Sequence, residues 1–153
     1  MKTVKGDLIK MALRGEFELI VHGCNCMCAM GKGIALTIKN TFPRAYEIDC
    51  QTEAADKSKL GTCSVAEIRT EGGELIIVNA YTQYHWRGPE GNTSYEAIES
   101  CMKWIGENFS DKKIGLPLIG AGLGGGDWKR ISAIIERELA GCDVTIVEFQ
   151  PEV

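Results

Sequence analysis

The sequence predicts an α/β fold in which helices cover both faces of a mostly parallel, mixed sheet. Short β-branched runs alternate with amphipathic stretches in the order β-α-β-α-β-β-α-β-α-β, and this alternation is typical of such sandwiches. The chain has 153 residues, 44% of them hydrophobic, and contains no internal repeat or Pro/Ser-rich linker. That length and composition fit one domain, so we expect a single domain over residues 1–153.

The first half of the chain alternates between apolar runs and helical spacing. Leucine, isoleucine and valine begin a short buried run at Leu19, whereas Ile34, Ile38 and Phe42 recur at the spacing of a helix face. Pro43 suits the first turn of a further helix. The elements predicted here are, in order, a strand at 3–5, a helix at 9–14, a strand at 19–22, a loop at 23–31 and two helical segments at 34–42 and 43–54.

The second half begins with a predicted hairpin, because two alternating runs flank the turn Glu71-Gly72-Gly73. Ser94 is a suitable N-cap for the helix that follows the next loop. The predicted elements are strands at 63–69 and 74–80, a loop at 81–93, a helix at 94–109, a strand at 113–118, a glycine-rich loop, a helix at 127–139 and a strand at 144–149.

Charge and composition exclude several classes of protein. The formal net charge is −4, from 17 Lys and Arg against 21 Asp and Glu, and the basic residues are scattered, which disfavours a partner bound through nucleic-acid phosphates. The seven cysteines are an odd number and favour reduced thiols over a disulfide framework. No run is long enough to span a membrane, and the first residues lack the apolar stretch of a signal peptide. We therefore expect a cytoplasmic monomer without a membrane partner.

Two glycine-rich loops predict a ligand with phosphate groups. Residues 120–128 read GAGLGGGDW, and successive N–H groups of such a loop can form an anion nest beside the N-terminus of the next helix. Residues 30–33, Met-Gly-Lys-Gly, lead into a helix in the same way. Because ligands of open α/β sheets bind beyond the carboxyl ends of the strands, the two loops together indicate two linked phosphates. A tightly packed turn is the alternative interpretation of the longer loop.

Familiar nucleotide and metal motifs do not fit. Gly120, Gly122 and Gly125 spell G-x-G-x-x-G, but a dinucleotide fold carries that pattern after an early strand. Cys63 and Arg69 have the spacing of cysteine phosphatases without the glycines of a phosphate loop. The spacing of Cys24, Cys26 and Cys28 is unlike that of a zinc site. We expect neither a metal nor a cofactor.

Two further loops carry polar candidates. Asn25 follows a predicted strand, where its amide can bind a sugar hydroxyl or, alternatively, form a turn. The loop at 81–93 contains Gln83, His85, Trp86 and Arg87, and a loop of this length and aromatic content is either a cover over a ligand or an ordinary surface loop.

Three segments together resemble a macro domain, the ADP-ribose-binding module. These are residues 3–8 (TVKGDL), 21–42 (VHGCNCMCAMGKGIALTIKNTF) and 116–128 (LPLIGAGLGGGDW). The resemblance covers essentially the whole chain and implies a three-layer α/β/α sandwich with a six-stranded mixed sheet and ADP-ribose in a cleft at its crest. Asp7 would accept a hydrogen bond from the adenine amino group. The implied ligand-binding residues are Asp7, Leu8, Cys24, Asn25, Cys26, Met30, Gly31, Lys32, Gly33, Ile34, Ile119, Gly120, Ala121, Gly122, Leu123, Gly124 and Gly125.

Departures from the family's branches favour one activity over others. The branch that removes ADP-ribose from glutamate uses an aspartate where this chain has Gly124, and it uses a lysine after the strand that contains Val78, which is missing here. The branch that acts on thymidine in DNA uses a lysine where this chain has Gln83. The loops resemble more closely the ADP-ribose-1″-phosphate phosphatases, which implies a hydrolase that releases phosphate and ADP-ribose. An ADP-ribosyl glycohydrolase acting on protein or DNA, or a reader without turnover, are the alternatives.

The phosphatase interpretation gives each catalytic candidate a role. Asp127 would orient water, unless it only caps its helix, and Asn25 and Gln83 would lie beside the distal ribose. His22 or His85 would protonate the leaving hydroxyl, although His22, on a buried strand, is expected to be structural.

Overall fold

The computed structural model describes residues 1–88 and 91–152. Within these residues it confirms the predicted alternation of elements, and no helix there is long and apolar enough to cross a membrane. The elements are β1 (Lys2–Gly6), α1 (Leu8–Leu13), β2 (Leu19–Cys24), α2 (Gly33–Thr41), α3 (Pro43–Cys50), β3 (Cys63–Thr70), β4 (Gly73–Tyr81), α4 (Tyr95–Asn108), β5 (Lys113–Leu116), α5 (Trp128–Glu138) and β6 (Asp143–Phe149), with a short 3₁₀ helix at Lys57–Lys59 before β3.

The six strands form one mixed sheet in the order β1-β6-β5-β2-β4-β3. Every neighbouring pair is parallel except β3 and β4, which form the predicted hairpin with Thr70 paired to Gly73 at the turn. β2 lies between β5 and β4, so the loops that follow these three parallel strands leave the same edge of the sheet. The site described below is built at that edge.

Helices cover both faces of the sheet, which completes the predicted three layers. α4 and α5 pack on one face through buried isoleucines such as Ile98 and Ile135, against Val21 and Val78 among others. α1, α2 and α3 pack on the other face, where Ile38 and Ala45 meet the opposite sides of β2 and β4. Alternate residues of the central strands therefore enter two separate apolar cores, which explains their almost unbroken apolar sequence.

The ends of two strands differ from the predicted ends. β2 continues through Gly23 and Cys24, because these residues pair with Ala80 and Tyr81 of β4. β5 ends at Leu116 rather than at residue 118, since Pro117 has no N–H to continue the ladder. The Ser94 hydroxyl accepts a hydrogen bond from the Ala97 N–H at 3.2 Å and caps α4 as predicted.

Candidate functional site

A cleft of about 570 Å³ lies at the carboxyl edge of the sheet. The loops after β2, β4 and β5 form its walls together with the first turn of α2. At its floor, a Cβ added to Gly23 would lie 2.8 Å from Thr82 Oγ1 and 3.3 Å from Ile119, so the absence of a side chain there permits the close packing. The lining residues are Gly23, Cys24, Asn25, Ala29, Gly31, Lys32, Gly33, Ile34, Ala35, Thr82, Gln83, Trp86, Pro117, Leu118, Ile119, Gly120, Gly122, Leu123 and Gly124.

The loop after β5 folds back on itself and contains N–H groups without a hydrogen-bond acceptor beside the cleft. Gly120 has a φ of 76°, and its carbonyl accepts hydrogen bonds from Gly126 N–H at 2.8 Å and from Thr93 Oγ1 at 2.9 Å. Within the described residues, no acceptor pairs with the N–H groups of Gly122, Leu123 or Gly124, all of which line the cleft. Unpaired N–H groups in succession form a site for an anion.

The first turn of α2 supplies a second row of donors. Lys32 is the N-cap, but its side chain makes no capping hydrogen bond, and Gly33 adopts a φ of 59°. Within the described chain, the N–H groups of Gly33, Ile34 and Ala35 also have no acceptor. Because the N-terminus of a helix carries a partial positive charge and unpaired N–H groups, this turn favours an anion in the cleft.

Gly124 is closely surrounded. A Cβ at this position would collide with Thr93 Oγ1 and would lie 2.9 Å from the Gly120 carbonyl oxygen and 3.0 Å from Gln83 Oε1. A carboxylate side chain at residue 124 would therefore require the loop to move. The packing explains why this position, where one branch of the resembled family has an aspartate, is a glycine here.

Asn25 lies in the cleft wall, but its amide is already engaged in the loop. Its Nδ2 donates to the Ala29 carbonyl at 2.9 Å, and its Oδ1 accepts from the Met27 N–H at 2.9 Å. The structure thus shows the turn-forming interaction, and a sugar hydroxyl at this point would share these same amide atoms.

The loop after β4 brings Gln83 and Trp86 to the cleft. Gln83 Nε2 donates to the His85 carbonyl at 3.0 Å, and the His85 ring stacks on Trp86 with centroids 4.0 Å apart. His85 itself does not line the cleft. The predicted cover over residues 81–93 includes Pro89 and Glu90, which lie outside the described residues.

Several predicted site residues are not part of the cleft lining. Asp127 is exposed and caps α5, with its Oδ1 accepting from the Lys129 N–H at 3.0 Å. Asp7 caps α1 in the same way, through the N–H groups of Ile9 and Lys10. The predicted residues that do not line the cleft are Asp7, Leu8, His22, Cys26, Met30, Ala121, Gly125 and Asp127.

His22 is fully buried in the sheet and belongs to a polar chain behind the cleft. Its Nε2 lies 2.6 Å from Asn79 Oδ1. Asn79 Nδ2 donates to the Ala45 carbonyl and to Ser64 Oγ, so Oδ1 is the accepting atom and His22 Nε2 carries the proton. Burial lowers the pKa of His22 to about 4. The imidazole is therefore neutral near pH 7, and its position supports the structural role expected for it.

A second buried group supports the Asn25 loop and was missed by the sequence reasoning. Lys59 Nζ donates to the Cys26 carbonyl at 3.3 Å, while the Tyr81 hydroxyl donates to Asp49 Oδ1 at 2.8 Å. Burial raises the pKa of Asp49. Lys59 lies in a polar, irregular stretch where no periodic pattern marks it as buried. Among the described residues, no three His, Cys, Asp or Glu side chains lie close enough to hold a metal ion.

Comparison with known proteins identifies the family. The macro domain model matches residues 21–135, and the chain belongs to the macro domain family. The macrodomain of Thermus aquaticus DarG has the same fold, with a TM-score of 0.73, 26% identity, and coverage of 98% of this chain and 97% of that one.

Three sequence relatives differ in how much of the chain they share. A 17.5 kDa protein in the tk-vs intergenic region of Enterobacteria phage T4 is 37% identical over 99% of this chain and 97% of its own. A DNA ADP-ribosyl glycohydrolase of Mycobacterium tuberculosis is 30% identical over 82% of this chain, which spans only 35% of that relative. An ADP-ribose 1″-phosphate phosphatase of Ajellomyces capsulatus is 42% identical over 29% of this chain and 16% of its own.

The buried imidazole predicts acid sensitivity. Unfolded His22 binds a proton near pH 6.5, whereas the folded residue does so only near pH 4, so the unfolded state takes up the proton first as the pH falls. Between pH 7.5 and pH 5, protonation of His22 in the unfolded state should lower the free energy of unfolding by roughly 2 kcal/mol. Urea unfolding of wild type and His22→Gln measures it, because other titrating groups cancel in the difference. The stability advantage of wild type should shrink with acidification, and a constant difference would contradict the assignment.

Proposed function

We propose that the protein binds the ADP-ribose part of an ADP-ribosylated compound, with the diphosphate between the two rows of N–H groups. The observation that carries this proposal is that two segments lining the same cleft, Gly122 to Gly124 and Gly33 to Ala35, both have N–H groups without an acceptor among the described residues. Such donors bind phosphate oxygens without a metal or a basic side chain. Membership of the macro domain family and the DNA ADP-ribosyl glycohydrolase relative support the same ligand.

The order of the strands suggests the direction of the ligand. β1, which precedes Asp7, lies on one side of β2 beyond β5 and β6, whereas β4, which precedes Gln83, lies on the other side. With the adenine toward Asp7, as the resemblance implies, the distal ribose lies toward Asn25 and Gln83. Asp7 Oδ1 is engaged in capping α1, and the other carboxylate oxygen is the atom offered to the adenine amino group.

We propose further that the protein hydrolyses the bond between C1″ of the distal ribose and the attached group. Water adds at C1″, the bond to the attached group breaks, and that group leaves with a proton. Gln83 lines the cleft beside the proposed ribose site, where its amide can orient water or the leaving group but cannot take up the proton. The glycohydrolase relative supports this reaction. The lysine of that branch is replaced by Gln83, so we expect slow turnover.

Phosphate release from ADP-ribose-1″-phosphate is the second candidate. In that reaction water attacks phosphorus, the bond from phosphorus to the ribose oxygen breaks, and a proton from the water passes to the ribose oxygen, so that ADP-ribose and inorganic phosphate are released. The resemblance of the Asn25 and Gln83 loops to that branch favours it, as does the short stretch shared with the phosphatase relative. The same binding site serves both reactions, and they differ in the products released.

Binding should depend on the backbone conformation at Gly33. We expect Gly33→Ala to weaken ADP-ribose binding at least about tenfold, because relaxation of its positive φ of 59° turns donors away from the diphosphate. Gly141→Ala is the matched control, since Gly141 has a φ of 85°, open space around it, and no part in the cleft. Both variants should lose about 1 kcal/mol of stability. Calorimetric titration tests the proposal, and equal affinity in the two variants would refute it.

Hydrolysis and the role of Asp127 are tested together. Wild type is incubated separately with ADP-ribose-1″-phosphate and with thymidine carrying ADP-ribose on its base, and chromatography with a phosphate assay identifies the products. Because Asp127 caps α5 outside the cleft, we expect Asp127→Asn to retain turnover and Asp127→Ala to lose about 1 kcal/mol of stability.

The asparagine variant separates the two roles of this residue, because an asparagine caps a helix as well as an aspartate but cannot act as a base. A folded Asp127→Asn protein without turnover would show that the water-orienting role predicted from the sequence is correct. If neither substrate is consumed by wild type while ADP-ribose still binds, the hydrolase proposal fails and the domain is a reader.

A further inference from the structure

A thiol and an amine are in contact at the loop that follows β2. Lys59 Nζ lies 3.6 Å from Cys28 Sγ and 3.3 Å from the Cys26 carbonyl oxygen. The next residue after Cys28, Ala29, lines the cleft, as does Asn25 earlier in the same loop. Cys28 therefore belongs to a wall of the cleft through its backbone and contacts a residue outside the cleft through its side chain.

The backbone at this contact is strained. Among the described residues, Cys28 and Ala55 are the two non-glycine residues with a positive φ, of 57° and 62°. They lie on segments that contact each other, because the Ala55 N–H donates to the Cys26 carbonyl at 2.8 Å. A positive φ costs free energy in a residue with a side chain, and such strain is concentrated at functional sites. The surrounding contacts therefore impose the conformation in which Cys28 faces Lys59.

Lys59 is buried without the partner that a buried cation usually has. Its exposed fraction is 7%, and within the described part of the chain no carboxylate forms an ion pair with it. Besides the Cys26 carbonyl and the Cys28 thiol, it contacts the Tyr81 ring, whose centroid lies 4.6 Å from Nζ. A buried ammonium without a carboxylate is costly. Conversion of this amine to a neutral group would consequently break no ion pair.

Cys28 differs from the buried cysteines near it. Burial raises the pKa of Cys24, and it raises the pKa of Cys26 to about 11, so both remain protonated and shielded. Cys28 is partly exposed, and among the cysteines that the structure describes it alone has a lysine amine within hydrogen-bond distance. Thiols that are partly exposed and lie beside a cation are the ones that peroxides oxidise.

We propose that Cys28 and Lys59 are an oxidative cross-linking site, at which hydrogen peroxide joins sulfur to nitrogen as a sulfenamide and thereby weakens ligand binding in the cleft. In the first step the Cys28 thiol takes one oxygen atom from peroxide, which leaves as water, and becomes a sulfenic acid. Lys59 Nζ, after releasing its ammonium proton to water, then attacks the sulfur. The S–N bond forms, the S–O bond breaks, and the hydroxyl group leaves as water with a proton from the nitrogen.

The electrons of this reaction balance with one molecule of peroxide. Sulfur is oxidised by two electrons and peroxide is reduced by two, so no metal or further oxidant takes part. A thiol reductant reverses the reaction, because its sulfur attacks Cys28 Sγ and the amine of Lys59 leaves with a proton. The site is therefore a reversible modification of two side chains already in contact.

Formation of the bond must move the loop. A covalent S–N bond is much shorter than the 3.6 Å contact, and the oxidised sulfur can no longer donate to the Asp49 carbonyl, which now lies 3.3 Å away. Displacement of Cys28 also moves Ala29, whose carbonyl accepts from Asn25 Nδ2 at 2.9 Å. The cross-link itself does not depend on the proposed function, whereas its effect on the cleft rests on the proposed binding of ADP-ribose.

Peptide mapping of peroxide-treated protein tests the bond. After alkylation of free thiols and digestion with trypsin without reductant, residues 15–32 should be joined to residues 58–69, with two hydrogen atoms fewer than the separate peptides and no cleavage after Lys59. Fragmentation should place the link on Cys28 and Lys59, and dithiothreitol should release it. Cys28→Ser should lose the link, whereas Cys50→Ser, which removes an exposed thiol, should keep it.

Calorimetric titration with ADP-ribose before and after peroxide tests the effect on the cleft. Cross-linked wild type should bind at least about fivefold more weakly, and dithiothreitol should restore the affinity. Cys50→Ser should behave as wild type does. Cys28→Ser should have the same affinity before and after peroxide, whatever its affinity relative to wild type.

Each other outcome overturns a defined part of the account. A bond from Cys28 to another cysteine, or further oxidation of Cys28 with normal cleavage after Lys59, would refute the cross-link, and the map of wild type decides this without any variant. Unchanged affinity in the cross-linked protein would refute the effect on the cleft. Failure of untreated wild type to bind ADP-ribose would refute the proposed function, while the peptide map still decides the cross-link.

Discussion

Backbone N–H groups without a carbonyl partner govern the construction of this molecule's cleft. The N–H groups of Gly33 to Ala35 and of Gly122 to Gly124 have no acceptor among the described residues, and an anion in the cleft can accept hydrogen bonds from them in place of water. The sheet order makes this possible, because β5 and β2 are parallel neighbours and deliver both segments to one edge. Glycine at positive φ, as at Gly33 and Gly120, then turns the chain without a side chain in the way.

The interior behind the cleft keeps its walls in position. The chain of hydrogen bonds from His22 through Asn79 to Ser64 and Tyr81 joins β2, β4 and β3 inside the fold. On the same side, Lys59 donates to the Cys26 carbonyl beneath the Asn25 loop. These buried side chains pair with one another and with backbone carbonyls, as buried polar groups in proteins do. Their burial, rather than any contact with a ligand, explains the lowered pKa of His22.

Sequence reasoning predicted the fold well because its signals are local. Alternation, helical spacing and the Ser94 cap correspond to short-range physics, and residues of both glycine-rich loops line the cleft. The cap at Asp127 and the turn at Asn25 were weighed only as alternatives, because such residues satisfy either the backbone or a ligand and the sequence does not distinguish the two. The burial of Lys59 depends on residues distant in the chain, and no local pattern reveals it.

The central claim is that a diphosphate binds the two rows of backbone donors. A titration of ¹⁵N-labelled protein with ADP-ribose, followed by nitrogen and phosphorus NMR, tests it most directly. Both phosphorus resonances of the ligand should shift, together with the amide resonances of Gly33, Ile34, Leu123 and Gly124. Unchanged phosphorus resonances, or amide shifts confined to residues away from the cleft, would contradict the account.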